Sequence, residues 1–230
     1  MTHKTRIRFF LSLLFLMSVL THGGFCVAAS SFIPNHLKDP PVYNITASDK
    51  HQFIWFRVAK VGTRSILEIL HNRTELSISG YNIPFKAHES NDYFKFAFVR
   101  NPWDRVVSCY HKQVLPKFNP HYQKCFDKDF DFFVDFIDSQ DLSACDIHIK
   151  LQTTLIPIQE VDFIGRFERF AEDLRYVLDR IGMTDAQIVH KNRSEHKHYS
   201  AYYTKRTKRI IAKKYKKDIQ AFSYTFERNS

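Results

Sequence analysis

Glycine is scarce in this chain, with six among 230 residues. That scarcity removes one class of phosphate loop, because the Walker pattern needs two glycines with Lys-Ser/Thr after the second. The single glycine turn that could serve, Ala59-Lys60-Val61-Gly62-Thr63-Arg64-Ser65, puts its lysine before the glycine. A P-loop-type kinase or nucleotide hydrolase is disfavoured on that ground, and also because no carboxylate partner for magnesium is evident. Gly/Ser tracts and internal repeats are missing too, which excludes flexible linker arrays and solenoids. Cysteine is limited to four residues. Cys26 falls in the amino-terminal segment and leaves Cys109, Cys125 and Cys145, an odd set with no spacing that suits zinc. Cys125 and Cys145 flank an expected helix and could pair in an oxidising lumen, leaving Cys109 free, a pairing that the sequence leaves open. Acidic side chains are the minority, 24 against 34 basic ones, for a net charge of +10. That balance favours an anionic ligand: a nucleotide, a sulfated or carboxylated sugar, nucleic acid or an acidic membrane surface.

Long apolar runs are also lacking. The stretch from Phe9 to Leu20 follows Lys4, Arg6 and Arg8 and precedes Val27-Ala28-Ala29. It is shorter than the ~20 residues of a membrane span and has the layout of a secretory signal peptide. Residues 1–29 are expected to be a signal peptide, with a retained signal anchor as the alternative. Either one puts the remaining chain outside the cytosol and makes nucleic acid an unexpected partner. The triplets Asn44-Ile45-Thr46 and Asn72-Arg73-Thr74 fit the N-glycosylation pattern and suit that address.

Apolar and aromatic residues are plentiful, at 44% and 15%, enough for one domain with a sizeable core. Residues 30–50, rich in Pro, Asn, Ser and Asp, read as a linker or stem, and the domain is expected over 51–230. Phe53-Ile54-Trp55-Phe56 reads as a buried strand, and Ile66, Leu67, Ile69 and Leu70 as a helix behind the glycine turn. A helix start carries unpaired N–H groups and the positive end of the dipole, so this turn is a candidate phosphate cradle. A second strand, Tyr93 to Val99, runs into Arg100-Asn101-Pro102-Trp103-Asp104-Arg105, where Asn101 caps and Pro102 opens a helix that carries Ser108. Arg100 thus sits at the carboxyl end of a strand, where ligands bind in open parallel sheets. Further strands are expected near Leu76–Ile83, at Leu155–Ile158 and at Val161–Gly165. Helices are expected at Phe130–Ile137, Phe167–Ile181 and, amphipathic and basic, across Thr204–Lys217.

Taken together and in order, KxGTxS after the first strand, FAFVRNPWDRVVSCYHK, VDFIGRFERFAEDLRYVLDRIG and NRSEHKHYSAYYTKRTKRIIAKKYKKDIQAFSYTF resemble the carbohydrate sulfotransferase family of the heparan/chondroitin/HNK-1 type, bacterial relatives included. The resemblance runs from about Phe53 to Phe226. It implies an α/β, P-loop-like three-layer fold with a central parallel sheet flanked by helices. It also implies the co-substrate 3′-phosphoadenosine 5′-phosphosulfate, no metal, and a glycan or glycoconjugate acceptor, acidic ones included. Lys60, Val61, Gly62, Thr63, Arg64 and Ser65 would form the 5′-phosphosulfate loop, and Arg100 and Ser108 would hold the 3′-phosphate. Arg166 would line the nucleotide site. Lys60 would stabilise charge on the leaving phosphate, and His88 would be the base, with Glu89 as its rival. The address implied is the secretory pathway, the Golgi lumen in a eukaryote. The alternative of another class is a non-catalytic polyanion-binding protein on the same fold.

Overall fold

The computed structural model describes residues 40–87, 92–188 and 197–227. A central sheet of five strands runs in the order β3-β1-β2-β4-β5, where β1 is Val42–Ser48, β2 Phe53–Phe56, β3 Ile78–Pro84, β4 Phe94–Val99 and β5 Phe163–Arg166. β2, β4 and β5 are mutually parallel, whereas β1 runs antiparallel to both β2 and β3. The expected α/β architecture with a central sheet and flanking helices is therefore present. Its one reversed strand comes from the stretch expected to be a linker. Val42–Ser48 joins the sheet because its odd positions, Ile45 and Ala47, are buried in the core while Thr46 hydrogen-bonds Ser79 across to β3. Asn44 is buried there and its carboxamide oxygen accepts from the Asn82 N–H, so this triplet offers no exposed glycan acceptor, in contrast to the exposed Asn72.

All four residues of β2 are buried, as the apolar run demands of a central strand covered on both faces. Trp55 stacks on Phe96 of β4, with ring centroids 6.1 Å apart. Helix α1 (Thr63–Arg73) lays Ile66, Ile69 and Leu70 on this core, and α4 (Phe170–Arg180) adds Phe170, Leu174, Val177 and Leu178. A second apolar core has no strand in it and is formed by helices and the 142–151 turns. α2 (Pro102–Cys109), α3 (Phe130–Ser139) and α5 (Lys205–Lys214) enclose Trp103, Tyr122, Phe133, Ile137, Ile211 and Tyr215.

Two expectations are corrected here, and one open question is answered. Leu155–Ile158 is not a strand. The chain before it forms a 3₁₀ turn at Gln152–Thr154, whose N–H groups at Gln152 and Thr153 are taken by the fully buried Asp218 carboxylate. Pro157 then accepts a turn hydrogen bond from the Glu160 N–H. The basic helix breaks at Tyr215 (φ −98°, ψ 21°) into α5 and α6 (Lys216–Ala221), with Tyr215 fully buried and its hydroxyl donating to the Ile149 carbonyl at 2.6 Å. Cys109, Cys125 and Cys145 are all free, so Cys125 and Cys145 do not pair. Among the described residues no helix is long and apolar enough to cross a membrane. The expected signal segment, residues 1–29, lies outside the described residues.

Candidate functional site

Because β2 and β4 are parallel neighbours, with Phe56 opposite Ala97, the turns that follow them leave the sheet from the same edge. That is where an open parallel sheet places its ligands. After β2, Val58 and Val61 are fully buried and pin the chain on either side of Lys60. Lys60 itself adopts a left-handed conformation (φ 74°), as does Gly62 (φ 86°). Left-handed backbone is strained for an L residue but not for glycine. Gly62 is required for a second reason: a Cβ there would lie 2.4 Å from Cε2 of Phe170. The Thr63 hydroxyl donates to the Val58 carbonyl at 2.5 Å and closes the turn. Gly62 is the N-cap of α1 and no side chain caps the helix; the Ser65 N–H turns back to the Gly62 carbonyl at 2.9 Å, and the helix start, which lines the cleft, is a candidate anion seat.

The turn after β4 is built from side chains. Arg100 is only 6% exposed. Its backbone is held at both ends by one carboxamide, with the Arg100 N–H donating to Gln152 Oε1 and Gln152 Nε2 donating to the Arg100 carbonyl, each at 2.9 Å. Its guanidinium donates from Nε to Asp104 at 2.7 Å, lies 4.0 Å from the Phe167 ring centroid, and donates from Nη1 to the Lys60 carbonyl at 3.2 Å. This last bond ties the two turns together. Asn101 accepts from the Trp103 N–H as the cap of α2, with Pro102 in the first turn. The Asn101 N–H donates to Glu168 at 2.6 Å.

Lys60, Gly62, Thr63, Arg64, Ser65, Arg100 and Ser108 all line one cleft of about 1070 Å³. The turns are thus one site, two helical turns of α2 being enough to carry Ser108 to it. Two expected members are not in it. Val61 is a core anchor with no exposed surface. Arg166 turns to the carboxyl-terminal segment, donating to the Phe222 carbonyl at 2.7 Å and lying over the Tyr224 ring, and does not line the cleft. The expected base His88 and its rival Glu89 lie outside the described residues.

The sequence reading missed the residue that holds the site together. Arg105, 1% exposed, donates to the carbonyls of Ala59 (3.0 Å), Lys150 (2.8 Å) and Ile147 (2.8 Å). Hydrogen bonds from a charged group contribute about 1.5–3 kcal/mol each, so Arg105 is a strut between the glycine turn and the 147–150 segment. Its position in the first turns of α2 beside Trp103 was the available signal, but a surface arginine reads the same way. The cleft is strongly cationic. Burial, and then the nearby charges of Arg100, Arg64 and Lys112, push the Lys60 ammonium down to about 8. An ammonium destabilised in this way gains from any anion that enters the cleft.

The chain belongs to the sulfotransferase family, whose sequence profile matches residues 43–225. It is 26% identical to carbohydrate sulfotransferase 9 of Homo sapiens, over 80% of this chain and 54% of that protein. It is 23% identical to carbohydrate sulfotransferase 10 of Xenopus laevis, over 91% of this chain and 74% of that protein. A 31% identical match to an uncharacterized protein of Archaeoglobus fulgidus spans 46% of this chain and 82% of that protein. The chain spans about half the length of the first of these relatives.

Proposed function

We propose that this chain transfers a sulfuryl group from 3′-phosphoadenosine 5′-phosphosulfate to a hydroxyl of a carbohydrate acceptor by in-line displacement. The observation that carries the reading is the hydrogen bond from Arg100 to the Lys60 carbonyl, which joins two cationic turns on one cleft. A donor with phosphates at both ends of a nucleoside needs two separated anion seats at a fixed spacing. The helix start at Gly62–Ser65, with Lys60 and Arg64, suits the 5′-phosphosulfate. Arg100 and Ser108 suit the 3′-phosphate, which a guanidinium binds in bidentate fashion.

The donor supplies the activated sulfuryl group, and the protein's own residues align and neutralise. Lys60 is positioned to meet charge that grows on the leaving phosphate oxygen, in a site where an ammonium is poorly solvated and gains from such a partner. The proton of the acceptor hydroxyl must pass to a base. A secretory address, lumenal in a eukaryotic cell, follows from the composition of residues 1–29 and accords with a glycan acceptor.

The test is incubation of the purified chain with sulfur-labelled donor and a panel of neutral and acidic glycans, with the modified position read by mass spectrometry. Label in a glycan is the expected result. Salt-steep binding of polyanions without binding of the donor nucleotide would replace this reading by the non-catalytic one.

A further inference from the structure

Beside the glycine turn stands a second constellation with no part in gripping phosphates. Arg105 bridges Ala59 of that turn to Ile147, and the next residue, His148, lines the same cleft. Asp146 does not line the cleft; it lies behind the imidazole. One of its oxygens, Oδ1, accepts from His148 Nδ1 at 2.8 Å, from the His148 backbone N–H at 3.1 Å and from the Tyr122 hydroxyl at 2.5 Å. Tyr122 is fully buried, so the carboxylate is held from inside the helical core.

This arrangement sets a tautomer. Burial alone would raise the Asp146 pKa, but the hydrogen bonds from His148 and Tyr122 outweigh it and hold the carboxyl below its ordinary range. An ionised carboxylate only accepts, so Nδ1 must carry the hydrogen, and a neutral ring then presents the lone pair of Nε2. Among the described residues Nε2 has no hydrogen-bond partner. Other histidines are used differently. His111 spends Nε2 on the Tyr202 hydroxyl, and His198, which also lines the cleft, has its Nδ1 against the Ser200 hydroxyl at 2.9 Å and accepting from the Ser200 N–H at 3.4 Å. A hydroxyl can donate or accept and sets no tautomer, whereas an N–H only donates, so a neutral His198 carries its hydrogen on Nε2 and offers no lone pair there.

We propose that His148, oriented by Asp146, is the catalytic base that takes the proton of the acceptor hydroxyl, an assignment that rests on the sulfotransferase reading above. In the step, the acceptor oxygen bonds to sulfur as the bond from sulfur to the donor's phosphate oxygen breaks. That electron pair leaves on the phosphate. The hydroxyl proton passes to Nε2 and is later released to water. Asp146 is a positioning residue that stabilises the imidazolium so formed. The resemblance assigns that role to His88, which lies outside the described residues, and variants at the two positions decide between them.

The experiment compares wild type, His148→Gln, Asp146→Asn and His88→Ala in the full chain, measuring kcat, acceptor KM and the Kd of adenosine 3′,5′-bisphosphate. His148→Gln is expected to lose about 100-fold or more in kcat while nucleotide Kd stays within about threefold. His148→Gly is expected to regain turnover with added imidazole, which a structural role would not produce. Asp146→Asn is expected to lose about 10-fold in kcat at unchanged KM. Should His148→Gln fail to bind nucleotide for want of folding, Tyr122→Phe reads the same dyad through a kcat loss at unchanged nucleotide Kd. An active wild type with undiminished His148→Gln, or with turnover abolished only in His88→Ala, overturns the assignment alone. A wild type that binds the nucleotide but transfers to no glycan, or binds none, overturns the sulfotransferase reading and the base with it.

Discussion

The two turns at the edge of the sheet reach one chemical end by different means. The turn after β2 is a main-chain device: a left-handed Lys60, a left-handed Gly62 under the Phe170 ring, and a helix start without a side-chain cap. The turn after β4 is a side-chain device. Arg100 is clamped by Gln152, Asp104 and Phe167, and its helix is capped by Asn101. A main-chain turn keeps its shape through charge substitutions, even where these cost activity, but is intolerant of an added carbon. A side-chain seat tolerates small backbone changes but depends on one guanidinium. The difference tells which change should break which half of the site.

The largest effect is expected at Lys60. Lys60→Ala should lower kcat by about 10²- to 10³-fold, yet leave the thermal midpoint unchanged or raised, because the ammonium it removes is already poorly solvated. A folded variant with normal turnover would remove Lys60 from the chemistry. Next comes the main-chain half. Gly62→Ala adds a carbon 2.4 Å from the Phe170 ring at φ 86° and should cost on the order of 3 kcal/mol in urea unfolding. The double variant Gly62→Ala/Phe170→Leu should recover part of that loss, and no recovery would show that the backbone conformation carries all of it.

In the side-chain half, Arg100→Ala should weaken adenosine 3′,5′-bisphosphate about 10- to 100-fold by calorimetry. It also leaves Asp104 unpaired, so Arg100→Ala/Asp104→Asn should restore stability but not affinity. An unchanged Kd would dissolve the contrast between the halves. The smallest signal is a proton count. Lys60 titrates near 8, below the ordinary lysine value of 10.5. Between those two values the unfolded chain binds more protons than the folded one, so the stability lost through this group is regained as pH rises through that window. An anion in the cleft should return the proton. Nucleotide binding near pH 8.5 is then expected to take up somewhat less than about one proton, read from calorimetry in buffers of different ionisation enthalpy, and Lys60→Met should abolish the uptake.

Much of this site was legible before folding. Buried β2, the glycine turn, β4 and the Asn101-Pro102 helix start are local patterns. Each is written by a run of apolar residues, a glycine or a cap, and all occur where the periodicity and caps placed them. The errors came from features with no local signature. Val42–Ser48 reads as polar linker because its Asn, Thr and Ser are satisfied by neighbours distant in sequence. Leu155–Ile158 reads as a strand until Asp218, far along the chain, captures the backbone just before it. Arg166 closes β5 as expected, but its guanidinium is drawn to Phe222 and Tyr224.

The sequence by itself determined the secondary elements flanking the site and the cationic character of its turns, since propensity, capping and charge are properties of neighbouring residues. Only the tertiary structure decided that the two turns share a cleft, that Arg105 braces it and that Asp146 orients His148 on its wall. Those outcomes depend on strand order, on hydrogen bonds between residues 40 and 46 apart, and on Tyr122, 24 residues before Asp146, holding that carboxylate in place. Such pairings are chosen by which arrangement buries its polar groups with partners, a condition that no short stretch of chain contains.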